Sequence, residues 1–213
     1  MKTTTAILVG TVALGLAAYG FTRPPQTKTP PSKTIKLAPT KNKAKSDQRE
    51  RAIVAGGCFW GTEKYFRMTP GITATASGYI GGKIKNPTYE QVCDGITGCS
   101  EGVMVEFDPA IITYAQVLDR FWQIHNPCTL NSQGPDFGDQ YRSGIYPMNE
   151  AQLKIAEQSK RNAAPLFKRP IVTEIVKGSP FYMAEDYHQQ YTEKTGRQCA
   201  IDFSDHVKRP GGS

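Results

Sequence analysis

A chain of 213 residues, 38% of them hydrophobic, can bury an ordinary core in one domain without disulfide or metal staples. Its net charge of +7 would suit a nucleic-acid binder only if that charge sat on the domain. Residues 1–51 hold ten Lys or Arg against Asp47 and Glu50, a net of +8, so residue 52 onward carries −1 and a nucleic-acid partner is excluded.

At the N-terminus, Lys2 precedes an apolar run over residues 6–21, sixteen residues against the roughly 20 that span a bilayer in comfort. Ala18-Tyr19-Gly20 is an acceptable cleavage site, so residues 1–22 are expected to be a signal peptide or a short membrane anchor. A cleaved signal exports the domain to the periplasm or cell envelope. A retained one, with its lysines on the far side, leaves the domain membrane-anchored in the cytoplasm. Residues 23–50, rich in Pro, Lys and Thr, read as a disordered basic linker, because such a composition cannot bury enough surface to order itself. The same lysines would also suit anionic lipid headgroups.

The folded domain is expected over residues 51–213. Residues 53–55 form a short apolar strand candidate, followed at once by Gly56-Gly57-Cys58-Phe59-Trp60-Gly61 and a helical stretch over 62–67. A strand that ends in two glycines and runs into a helix presents Cys58 at the helix N-terminus, where unpaired N–H groups and the macrodipole favour an anion. A thiolate is such an anion, and it is the nucleophilic form of cysteine. Further strands are predicted at 72–79, 103–107 and 171–176 from their β-branched residues.

Helical periodicity is clearest over 113–125, where Tyr114, Val117, Leu118, Phe121, Trp122 and His125 share one stripe, with His125 at the helix end. A second helix begins at Asn149, with Gln152 placed as in a capping box, and runs to 162. A third covers 184–193. Interleaved strands and helices indicate an α+β fold, a two-layer α/β sandwich with a ferredoxin-like core. Its long loops, 78–100 and 126–144, exceed ordinary connections and are read as functional. Cys58, Cys93, Cys99, Cys128 and Cys199 include no CxxC pair, so no metal is expected, and His188 is assigned to holding its helix.

Five blocks occur in order: GGCFWG at 56–61, GYIGG at 78–82, NPTYEQVCDGITG at 86–98, QGPDFGDQYRSGIY at 133–146 and AEDYHQQY at 184–191. Together they resemble peptide methionine sulfoxide reductase of the A type, the S-epimer-specific kind, over residues 53–199. The resemblance implies that Cys58 attacks the sulfoxide sulfur while Phe59 and Trp60 wall the methyl group. It implies that Glu101 is a buried acid towards the sulfoxide oxygen. Burial would hold that proton near neutral pH. Tyr89 and Tyr141 match the tyrosines that hydrogen-bond the oxygen, and Asp136 matches the acid that orients them.

A sulfenic acid on Cys58 would then condense with a second thiol. Cys199 matches the resolving position, which makes a thioredoxin-like dithiol the reductant and leaves no resident cofactor. Oxidised proteins or free methionine sulfoxide are the implied substrates. Two departures stand out: Cys99 replaces a usual histidine, and residues 205–213 hold no further cysteine. Cys93 and Cys99 could pair in an oxidising compartment, and either could substitute as resolver. The competing readings are a thiol peroxidase using the same Cys58 and a non-catalytic module tethered by the basic segment.

Overall fold

The computed structural model describes residues 35–197. The expected signal or anchor, the first part of the linker and Cys199 lie outside that range. Among the described residues no helix is long and apolar enough to cross a membrane.

In chain order the elements are β1 (Ala38–Pro39), β2 (Glu50–Gly56), α1 (Phe59–Arg67), β3 (Ile72–Ile80), α2 (Tyr89–Cys93), β4 (Ser100–Phe107) and α3 (Tyr114–Gln123). There follow β5 (Ser132–Gln133), β6 (Asp136–Phe137), β7 (Ser143–Ile145), α4 (Glu150–Ala163), β8 (Glu174–Ile175), β9 (Phe181–Met183) and α5 (Tyr191–Thr195). The main sheet runs β1-β3-β4-β2-β7-β8, with β9 also on β3, and β5 and β6 form a separate hairpin. All pairs are antiparallel except β7 with β8. Within it, β2-α1-β3-β4-α3-β7 is a βαββαβ unit with strand order β3-β4-β2-β7, the ferredoxin-like arrangement.

Side-chain alternation sets the layers. In β2, Ala52 and Val54 join the main core with Phe66, Val105, Leu118 and Phe121, whereas Ile53 and Ala55 join a smaller cluster with Ile80, Met104 and Tyr146. Leu37 and Phe181 cover that second cluster, so β2 is buried on both faces and reads as a continuous apolar run. Helix α3 follows its predicted stripe, with Tyr114, Val117, Leu118, Phe121 and Trp122 buried and Thr113 closing a capping box with Gln116. Asn149 caps α4 by accepting from Gln152 N–H, but the Gln152 side chain accepts from Met148 N–H rather than closing the box on Asn149.

Three expectations are corrected. The strand read over 171–176 shrinks to the two residues of β8. The helix read over 184–193 is instead a short 3-10 turn, Asp186–His188, and then α5, separated by Gln190 in the left-handed region at φ 51°. Sheet contacts take the backbone that a helix would need: Ala184 N–H bonds Ser77 O, and the Gln189 amide spans both Ser77 N–H and Ser77 O.

Residues 35–49 of the expected linker are packed on the domain. Ala38 and Pro39 pair with β3, Asn42 Nδ2 donates to the carbonyls of Arg67, Thr69 and Ile72, and Asp108 accepts from Lys45 N–H, Ser46 N–H and the Ser46 hydroxyl. Composition argued against order because this segment buries little of its own surface. Its order comes from polar groups that the domain supplies.

Candidate active site

Gly57 turns the chain from β2 into α1 at φ 87°, and a β-carbon there would lie 2.4 Å from Gln133 Cγ. Gln133 is itself fixed, accepting from Asn126 N–H and donating to Asn126 O. Gly56 packs against Phe121 and His125, whose ring bonds Phe121 O and the Ser143 hydroxyl, so His125 braces the turn from below. Cys58 is therefore the N-cap of α1, half-buried, with its carbonyl accepting from Thr62 N–H.

The next residue makes the central contact. Phe59 N–H, one of the helix's unpaired donors, bonds Glu101 Oε2 at 3.0 Å, and Glu101 is 2% exposed on β4, opposite Tyr79. This bond brings the only acid of the β4 N-terminal end to the first turn of the helix that Cys58 caps.

Tyr141, closing the 3-10 turn Asp139–Tyr141, and Tyr89, opening α2, face the same place. Burial pushes the Tyr141 phenol up, and the nearby Glu101, Asp136, Cys58 and Cys93 push it further. Burial likewise raises Tyr89, with its hydrogen bond to Cys93 and the proximity of Glu101 adding to it. Both hydroxyls thus remain proton donors at neutral pH. Burial also raises the Asp136 carboxyl.

Aromatic residues form the remaining wall. Phe59 is 1% exposed, and Trp60 lies stacked on Tyr191 with ring centroids 3.7 Å apart and planes at 11°. The indole Nε1 donates to His188 Nδ1 at 2.9 Å, and the His188 ring also packs on Phe59 and Tyr89 at 5.0 and 4.4 Å. Glu185 ties this wall to α2, accepting from the Tyr79 hydroxyl and from Tyr89 N–H.

Sequence reasoning thus named residues that the fold brings together, Cys58, Phe59, Trp60, Tyr89, Glu101, Asp136 and Tyr141, while Cys199 lies outside the described residues. It passed over Tyr191 and Glu185, and it read Cys93 as a partner for Cys99 or an alternative resolver without foreseeing its contact with Tyr89. Cys93 lies four residues after Tyr89 on α2, and that helical spacing was the available signal.

Cys93 is exposed and Cys99 is buried, and both are free thiols, so the Cys93–Cys99 pairing does not occur in this structure. Cys99 fills the space beside Gly82, where a β-carbon would fall 2.2 Å from its sulfur, and burial raises its thiol. Among the described residues no three His, Cys, Asp or Glu side chains gather as a metal site.

The family model described as peptide methionine sulfoxide reductase matches residues 50–210. A relative named peptide methionine sulfoxide reductase MsrA from Methanosarcina acetivorans is 57% identical over 149 residues, which cover 69% of this chain and 79% of the relative. The reduced form of Mxr1 from Saccharomyces cerevisiae superposes with a TM-score of 0.69 at 33% identity, covering 82% of this chain and all of that one. Mxr1 in complex with Trx2 shares the fold at a TM-score of 0.50 and 24% identity, over 80% of this chain and 96% of that one. By the match over most of its length and by that identity, the chain belongs to the peptide methionine sulfoxide reductase family.

Proposed function

We propose that this reductase converts the S epimer of methionine sulfoxide, free or in proteins, to methionine through a sulfenic acid on Cys58. Reduction of methionine sulfoxide is the reaction of its family. The observation that carries the assignment of residues is the bond from Phe59 N–H to the buried Glu101, which sets an acid beside the turn holding Cys58.

In this reading the Cys58 thiolate attacks the sulfoxide sulfur while Glu101 gives a proton to the oxygen. The Sγ–S bond made by that attack then breaks together with the S–O bond as the protonated oxygen passes to Cys58 Sγ, releasing methionine reduced by two electrons and leaving Cys58, oxidised by two, as sulfenic acid. Tyr89 and Tyr141, with phenols raised by burial, donate hydrogen bonds to the same oxygen, and Asp136 steadies Tyr141. Phe59 and Trp60 receive the methyl group, since aromatic faces suit a thioether-like sulfur.

Recycling follows by condensation of the sulfenic acid with Cys199, releasing water and leaving a Cys58–Cys199 disulfide. A thioredoxin-like dithiol then reduces it by exchange, a reductant suggested by the Trx2 complex of the yeast relative. The apolar segment over residues 6–21 supports export to the periplasm or envelope, where that dithiol would draw electrons through a membrane thiol relay.

The test is epimer-resolved turnover of a racemic methionine sulfoxide ester. The chain should consume only the S form, and Cys58→Ser should consume neither. Activity kept by that variant, or faster turnover of hydrogen peroxide than of the sulfoxide, would overturn the assignment.

A further inference from the structure

Glu63 is an acid that the proposed chemistry does not use, yet it is 1% exposed in the middle of α1. Three donors converge on it: the Thr75 hydroxyl at 2.8 Å on Oε1, and on Oε2 the Ser77 hydroxyl at 3.2 Å and Gln190 N–H at 2.8 Å. Thr75 and Ser77 share one face of β3, so the first two bonds seat α1 on the sheet. The third reaches the 184–191 segment.

That third donor belongs to a strained residue. Gln190 sits at φ 51°, in a region that residues with a β-carbon avoid unless the surroundings hold them there. Gln189, just before it, is clamped on Ser77 by its own amide. Directly after it Tyr191 stacks on Trp60, and two residues before it His188 accepts the indole N–H. The angle through which the chain turns at Gln190 therefore sets how the two partners of the Trp60 ring stand relative to each other.

We propose that Glu63 is a positioning residue of this enzyme: by accepting Gln190 N–H it holds the left-handed turn that seats His188 and Tyr191 on Trp60. It touches no reacting atom and acts on substrate only through the indole wall. The proposal rests on the reading above for its kinetic consequence, since it takes Trp60 as the seat of the methyl group, but not for its structural one.

The experiment uses the full chain carrying Trp122→Phe, so that indole emission reports Trp60 alone. Glu63→Ala should raise KM for an S-sulfoxide ester about tenfold, with kcat changed far less, because the buried bond to Gln190 N–H that shapes the binding wall is lost. Its Trp60 emission should shift to the red. Glu63→Gln should stay near the parent on both readouts, because an amide oxygen can still accept Gln190 N–H while the amide nitrogen faces the Thr75 hydroxyl.

Adding Gln190→Gly to Glu63→Ala should restore KM and emission, since glycine takes the left-handed turn unaided. Unchanged KM and emission in Glu63→Ala, or no recovery with Gln190→Gly, overturns the proposal. Should Glu63→Ala not fold, Gln190→Pro carries the test with Glu63 intact. Gln189 at φ −69° and ψ 127° accepts a following proline, whose ring forbids the left-handed turn and removes the N–H. An unaltered KM and emission in that variant likewise overturns the proposal. If the parent chain reduces no sulfoxide at all, the catalytic reading fails, while Trp60 emission still decides the role of Glu63.

Discussion

Phe59 carries two functions on one residue: its ring faces the wall beside Trp60 and His188, while its N–H holds Glu101. Glu101→Gln separates them, because the amide oxygen keeps the bond to Phe59 N–H but the proton to be donated is gone. Single-turnover formation of methionine should fall about 10²- to 10⁴-fold in that variant, the span of general-acid contributions, with little change in thermal midpoint. Rapid-quench product analysis checks it. Cys58 and the tyrosines were legible because the motif blocks contain them, and Glu101 because it stands three residues after the third block, in Gly98-Cys99-Ser100-Glu101. Glu185 and Tyr191 were not, since their roles arise from contacts between segments about 100 residues or more apart in the chain, such as Tyr79 with Glu185 and Trp60 with Tyr191.

Among the elements, the strap over residues 38–46 shows best what composition misses. Asp108, just after β4, receives it: the Ser46 hydroxyl first, then Ala110, Lys45 and Ser46 backbone N–H groups hold its carboxyl well below the usual carboxylate range. A carboxylate with a folded pKa below its unfolded one stabilises the fold at pH values above the unfolded pKa. That contribution is lost as pH falls through the folded value. The strap should therefore stay docked at neutral pH and loosen only below about pH 4, where the unfolded group titrates. Exchange of the Thr40 amide, which bonds Thr73 O, reports that loosening. Asp108→Asn should loosen it at neutral pH, read as faster tryptic cleavage after Lys43 and Lys45. By contrast β2, β3 and β4 were legible to within a few residues as apolar and β-branched runs, α3 by its 3.6-residue stripe and α4 by its Asn149 cap. The chain at 184–193 misled because its helical composition is overruled by Ser77, whose backbone claims the Gln189 amide.

At the scale of the molecule, the nucleophile turn rests on the main core, for Gly56 lies against Phe121 and His125. Phe121→Ala should cost about 3–5 kcal/mol in urea unfolding, as for other buried Phe deletions. It should also lower activity in the folded fraction, since the floor under Gly56 would be gone. The ferredoxin-like plan was readable from the alternation of strands and helices, whereas the borders of the sheet were not, being too short to show any alternation. Those borders have a consequence of their own. One side of the sheet closes on the two residues of β8, the other on β1 and β9, two and three residues long. A repair enzyme for damaged proteins handles clients with loosened, sticky backbones. Among the described residues the sheet offers no long unpaired rim, so a foreign strand finds little backbone on which to add.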